Sequence, residues 1–167
     1  MPLQHLTQEG TLSLDGISLQ NTFGAWGIIP NKGRGGLIPL WTDFAVRGQN
    51  RILPSVTGVI MYEHRVTETE YDLRLAVTGD VDGQTGLSNT DAVQGLEVNL
   101  DYLTTNVILP PGNSTGTRAG VLIKPSGETL TASVQVMYTK VEDYLLQECA
   151  SLWIAMLHIR LPEGRFS

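Results

Sequence analysis

The chain is poor in the residues that carry chemistry. It has a single cysteine, Cys149, so no internal disulfide can form, and no second cysteine or Cys/His cluster offers a structural zinc site. Cys149 reads as a small buried residue. Charged side chains make up 17% of the 167 residues, below the roughly one quarter usual for globular domains. A surface so thin in charge points to contact with protein rather than water. No apolar run approaches the roughly 20 residues of a membrane helix, and the opening Met-Pro-Leu-Gln-His-Leu lacks the charged and apolar regions of a signal peptide. The expectation is a chain made and folded in a cytoplasm, with no membrane partner.

Catalytic signatures are missing as well. There is no Gly-x-Ser-x-Gly elbow. Gly33-Arg-Gly-Gly36 lacks the Gly-Lys-Ser/Thr ending and the following helix of a phosphate loop. Glu63 and His64 are adjacent on a predicted strand, where neighbours face opposite ways, so they cannot converge on one substrate. His5 and His158 have no ligand spacing and read as surface or core histidines. Asp80-Val-Asp-Gly83 opens like a calcium loop but lacks the third acidic ligand and the glutamate at the twelfth position; it reads as a turn. No enzyme, cofactor or metal is expected.

What the chain does have is turns and alternation. Its 18 glycines and 8 prolines are spread without a short period, which favours β structure, and its length suits one domain over residues 1–167. Leu12 to Leu19 alternates about Asp15-Gly16, a hairpin signal. A pair of neighbouring strands is predicted over 59–66 and 70–79; in the second, Tyr71, Leu73, Leu75 and Val77 share one face, with Asp72, Arg74 and Thr78 on the other. The period then changes. Val93, Leu96, Leu100, Leu103 and Val107 line one face of a helix over about 89–108, with Ser88 and Asp91 spaced as a capping box and Pro110-Pro111 as its stop. Residues 119–124 and 129–141 form a second hairpin around Pro125-Ser-Gly127. Residues 150–161 are almost continuously apolar, which fits a buried strand or a short buried helix. The fold class is mainly β: a sandwich or barrel-like set of antiparallel sheets with one flanking helix.

Residues 20–58 show no sustained period, yet they hold Trp26 and Trp41, two phenylalanines and several aliphatics, so they read as a segment that orders against something. Their charge is distinctive. Lys32, Arg34, Arg47 and Arg51 stand against Asp43 alone, while the rest of the chain carries seven basic and sixteen acidic residues. A basic loop on an acidic body suits head-to-tail docking onto a copy of itself. A nucleic-acid grip is disfavoured by the acidic balance.

Several of these features together resemble the superfamily of siphophage tail tube proteins and the ring domains of distal tail proteins. They are the Leu14-Asp-Gly-Ile-Ser-Leu19 turn, the long loop, Arg47-Gly-Gln-Asn-Arg-Ile-Leu-Pro54 with Gly58, two strands, the helix carrying Leu96, Leu100 and Leu103, and closing strands. The Arg-Gly-x-x-Arg segment is similar to that of phages with actinobacterial hosts. The resemblance implies a hexameric ring whose strands line a channel, stacked rings through which the genome passes without specific binding, and tape measure, tail tip and tail terminator proteins as partners in the virion. Six copies at −6 each would total about −36, and a wall that repels phosphates lets DNA slide. Glu68, Glu70 and Asp72 are the lumen candidates; Trp26, Lys32, Arg34, Trp41, Arg47 and Arg51 are the assembly candidates. The end of the sequence at Ser167 soon after the last strand favours a tube subunit. The alternatives are a distal tail ring joining tube to tip, and a monomeric β-sandwich whose Trp26 and Trp41 stack on a ligand.

Overall fold

Asp15 and Gly16 make the first reversal. Their φ angles are 50° and 80°, the doubly positive geometry of a two-residue hairpin that Asp-Gly adopts at low cost. The turn joins β1 (Thr11–Leu14) to β2 (Ile17–Ser18), as expected. The computed structural model describes residues 10–29, 36–42, 45–47, 50–51, 60–61, 65–109, 116–145 and 152–167. The expectations for His5, Lys32, Arg34, Glu63, His64 and Cys149 fall outside them.

The body is one seven-stranded antiparallel sheet in the order β2-β1-β9-β10-β11-β8-β3. It contains β3 (Trp26–Ile28), β8 (Thr69–Thr78), β9 (Thr117–Ile123), β10 (Thr129–Leu145) and β11 (Leu152–Leu161). Period-two alternation sends Leu73, Leu75 and Val77 of β8, Leu157, Ile159 and Leu161 of β11, and Leu122 and Val134 of the β9–β10 hairpin into one core. Gly127, with φ 91° and its N–H bonded to Lys124 O at 2.8 Å, closes that hairpin at the expected Pro125-Ser-Gly127. The apolar run near the end is a strand, β11, paired on both sides. Mainly antiparallel β structure with one flanking helix is thus the observed class.

Two features differ from expectation. The predicted neighbours at 59–66 and 70–79 do not form a hairpin with each other. Within the first, β6 (Ile60–Met61) pairs with β5 (Asn50–Arg51), and β7 (Arg65–Thr67) pairs with β4 (Ala45–Arg47). Between β7 and β8 lies only Glu68, and one residue cannot reverse an antiparallel chain. The ten residues of β8 pair instead with the ten of β11. The second difference is that residues 20–58 hold β3, β4, β5 and a helical turn α1 (Pro39–Thr42), each of four residues or fewer and so too short to show a period.

The helix α2 (Ala92–Leu103) continues through a π-helical turn, Thr104–Ile108. Its cap is Asp91, whose carboxylate accepts the N–H groups of Val93 and Gln94 at 3.0 and 3.2 Å, not Ser88. Ser88 is held in a bridge with Val81, and Asn89 donates its side-chain amide to Gly79 O, so the chain is still extended there. Leu109, before Pro110, turns extended at ψ 141° and ends the helix.

The face the helix buries is rotated from the predicted one. Leu96, Leu103 and Val107 are inside, but Val93 is 52% exposed and Leu100 only half-buried; Gly95 and Asn99 take the inward places. A Cβ on Gly79 would lie 1.7 Å from Ala92 O, and one on Gly95 would lie 2.2 Å from Gly79 O, so the two glycines set how closely helix and strand approach. Asn99 then reaches the turn beyond β8. Its amide donates to Thr78 O and Val81 O at 2.9 and 2.8 Å, and its oxygen accepts Gly83 N–H at 3.0 Å.

Candidate functional site

The face of β8 and β11 opposite the core is charged. Register places Glu70 opposite Arg160 and Asp72 opposite His158, so alternation that buries Leu73 and Ile159 brings these four side chains together on the other side. His158 Nδ1 lies 2.5 Å from Asp72 Oδ1, and its Nε2 lies 3.1 Å from Glu70 Oε2. Arg160 reaches Glu70 at 3.4 Å and Glu68 at 3.9 Å. All three lumen candidates therefore sit in one cluster, where a guanidinium and an imidazole offset part of their charge.

Titration follows from that geometry. Burial of His158, 15% exposed, works against its imidazolium, but hydrogen bonds and attraction from Asp72 and Glu70 outweigh it and raise its pKa above 6.5. The hydrogen bond from His158, with Arg160 adding to it, holds Glu70 below its ordinary 4.5. The cluster carries a net −1 with His158 protonated and −2 without, counting Glu68, Glu70 and Asp72 against Arg160 and His158. Sequence reasoning gives His158 no role. No local signal connects it to residues 86 and 88 positions away; only strand register does.

Of the assembly candidates, Trp26, Trp41, Arg47 and Arg51 fall among the described residues, each on a different element. Trp26 is 3% exposed, stacked on Tyr102 at 5.8 Å, bonded through Nε1 to Ser18 O, and seated over Gly83, where a Cβ would strike its ring at 2.0 Å. Its ring faces the chain's own interior. A monomeric binding module that stacks Trp26 on a ligand loses that aromatic. Trp41, on α1, is half-buried against the core, with Lys124 Nζ 5.9 Å from its ring centroid. Arg47 lies on β4 opposite Arg65, and Arg51 on β5 opposite Ile60.

Among the described residues, one stretch of β10 is also paired on one side alone. The last partner of β10 on its β9 side is Gln135, paired with Thr117; from Val136 to Leu145 only β11 pairs with it among the described residues. Such an edge is a template for another strand. Asp82 accepts the N–H groups of Gln84 and Thr85 at 2.7 and 3.2 Å, a turn-forming role for the Asp80 to Gly83 segment. Among the described residues, no three His, Cys, Asp or Glu side chains are arranged to hold a metal, and no helix is long and apolar enough to cross a membrane.

Together these elements make a seven-stranded antiparallel sheet with one helix packed on its inner face. No family model matches the chain, and no curated protein sequence matches it. In three dimensions it is similar to the Dit distal tail protein of phage SPP1, described as a paradigm of the hub of the adsorption apparatus in phages that infect Gram-positive bacteria. The TM-score is 0.52 at 14% identity, over 92% of this chain and 50% of Dit. The chain thus spans half the length of that protein, and the likeness is one of fold.

Proposed function

We propose that the chain is a non-enzymatic structural protein of a phage tail, a single ring-forming unit that acts as a distal tail ring between tube and tip. The observation that carries this reading is the fold shared with Dit along 92% of the chain. The stretch of β10 that pairs on one side alone among the described residues and the charged face of β8 and β11 support it, since a ring needs strand edges to close and a polar wall to face its channel. In this reading Glu68, Glu70 and Asp72 line the passage, tempered by His158 and Arg160, and DNA moves past them without specific binding. Lys32, Arg34, Trp41, Arg47 and Arg51 contact neighbouring copies, while Trp26 braces the same segment from behind. Tube, tape measure and tip proteins are the partners, and the virion tail is the location.

Negative-stain images and light scattering of the purified protein test the reading. Discrete hexameric rings are the expected result. Long hollow tubes would assign the chain to the tube itself, and a monomer persisting at high concentration would sink both.

A further inference from the structure

We propose that a cleft between the β1–β2 turn, the bend before β3 and the Gly83 turn binds a neutral saccharide, with Tyr102 of α2 as its aromatic wall. The cleft measures about 450 Å³, within the range of about 300–1,000 Å³ typical of small-molecule sites. Residues 16–18, 20–22 and 83–84 line it together with Trp26 and Tyr102, and none of them is acidic or basic. A metal ion needs carboxylates or imidazoles, and a phosphate is held by arginine or lysine, so the ligand that suits this lining is uncharged. The walls are braced before any ligand arrives. Asn21 Nδ2 donates to Gly83 O at 2.8 Å, and Asn21 Oδ1 accepts the N–H groups of Phe23 and Ala25 at 3.0 and 3.1 Å. Trp26 Nε1 donates to Ser18 O at 3.0 Å, and the indole stacks on Tyr102 with ring centres 5.8 Å apart. Trp26 is thus the buried support, and half-buried Tyr102 is the ring it fixes. Such preorganisation lowers the ordering cost of binding.

Three polar side chains of the cleft are not spent on this frame. The hydroxyls of Thr22 and Tyr102 and the amide of Gln84 make no hydrogen bond among the described residues. Hydroxyls and carboxamides both donate and accept, and so does every hydroxyl of a sugar. The aromatic ring beside them offers an apolar surface to the C–H face of a pyranose, while its phenol stays on the polar side. A peptide added as a strand fits less well. Although β2 is an edge of the sheet, it is two residues long, and Ser18 O is already taken by Trp26. None of the acids or arginines given a part in the ring lines the cleft, so the site stands independently of the ring reading.

Saturation-transfer difference NMR on the whole chain tests the site, with glucose, galactose, N-acetylglucosamine and maltose as neutral probes and glucuronate as the charged control. At least one neutral sugar should bind in the millimolar range. Tyr102→Ala should weaken that binding at least ten-fold, and Tyr102→Phe, which keeps the ring, should weaken it less. Because Tyr102 also packs on Trp26, the deciding variant is Thr22→Ala with Gln84→Ala, two exposed positions whose change should leave the melting temperature as it is and weaken binding at least five-fold. Absence of binding by all four neutral sugars, binding untouched in that double variant, or glucuronate bound as tightly as the best neutral sugar overturns the proposal. Loss of assembly in the double variant, with no sugar bound by the parent, would give the cleft to a second copy of the chain instead.

Discussion

His158 lies opposite Asp72 across the β8–β11 ladder, with its Nδ1 2.5 Å from the Asp72 carboxylate, while its other nitrogen meets Glu70 at 3.1 Å. One imidazole thus ties together two acids of the strand. Because each ring nitrogen has its own carboxylate, the imidazolium is the form the site prefers.

That preference gives stability a pH dependence. The folded pKa of His158 is raised above 6.5, so its contribution is fully present below 6.5 and is lost as pH rises through the folded value. The folded pKa of Glu70 is lowered below 4.5, so its contribution is present above 4.5 and is lost as pH falls through the folded value. The cluster therefore stabilises most between 4.5 and 6.5. Thermal melts from pH 4 to 9 should show a decline on the alkaline side that His158→Ala removes; an unchanged profile in the variant would refute the assignment.

Asn99 satisfies two carbonyls and one N–H that lie under the helix. Asn99→Leu strands all three, at about 1–3 kcal/mol for each group left unsatisfied and not regained from water. A loss of about 3 kcal/mol or more in urea unfolding is expected. A loss under about 1 kcal/mol would mean that water replaces the amide.

Gly79 and Gly95 can be tested by adding one methyl group. Gly95→Ala brings a Cβ within 2.2 Å of Gly79 O and 2.3 Å of the Asn89 amide, so helix and strand must separate. Overpacking outweighs the roughly 1 kcal/mol of helix propensity gained, and a net loss of about 1–3 kcal/mol is expected. A variant more stable than the parent would contradict the close approach.

Asp15 does two jobs at once. Its carboxylate accepts Ala119 N–H at 2.9 Å and Nη1 of Arg118, which is 4% exposed, at 3.2 Å; Nε and Nη2 of that guanidinium have no hydrogen-bond partner among the described residues. Asp15→Ala leaves a buried cation nearly alone and should cost about 2–4 kcal/mol, towards the lower end because Asp15 is 38% exposed. Adding Arg118→Met should return part of the loss. If the double variant is as unstable as the single, the cost comes from the turn and not from the stranded charge.

Features decided by neighbours in the chain are legible in the sequence. The Asp15-Gly16 and Pro125-Ser-Gly127 reversals, the alternation of β8 and the end of α2 before Pro110 depend on a few consecutive residues. The buried face of α2 is not legible in this way, for a physical reason. An apolar count puts Val93 inside and leaves out Gly95 and Asn99, although a glycine can face inward to allow contact and an asparagine to satisfy backbone groups. The partners of β7 and β8 are equally hidden, because a strand shows its own two faces but not who lies beside it. His158 and Arg160 escape notice as partners of the acids for the same reason.

The sequence by itself determined the mainly β class, the helix and its stop, the low density of charge, and the contrast between a basic segment and an acidic remainder. These are properties of composition and short-range spacing. Only the tertiary structure decided that Trp26 belongs to the core, that Glu68, Glu70 and Asp72 meet two bases on β11, and that β8 pairs with β11 rather than with the strand before it. Each depends on register between segments far apart in the chain, and a one-residue slip of a strand would exchange its buried and exposed faces.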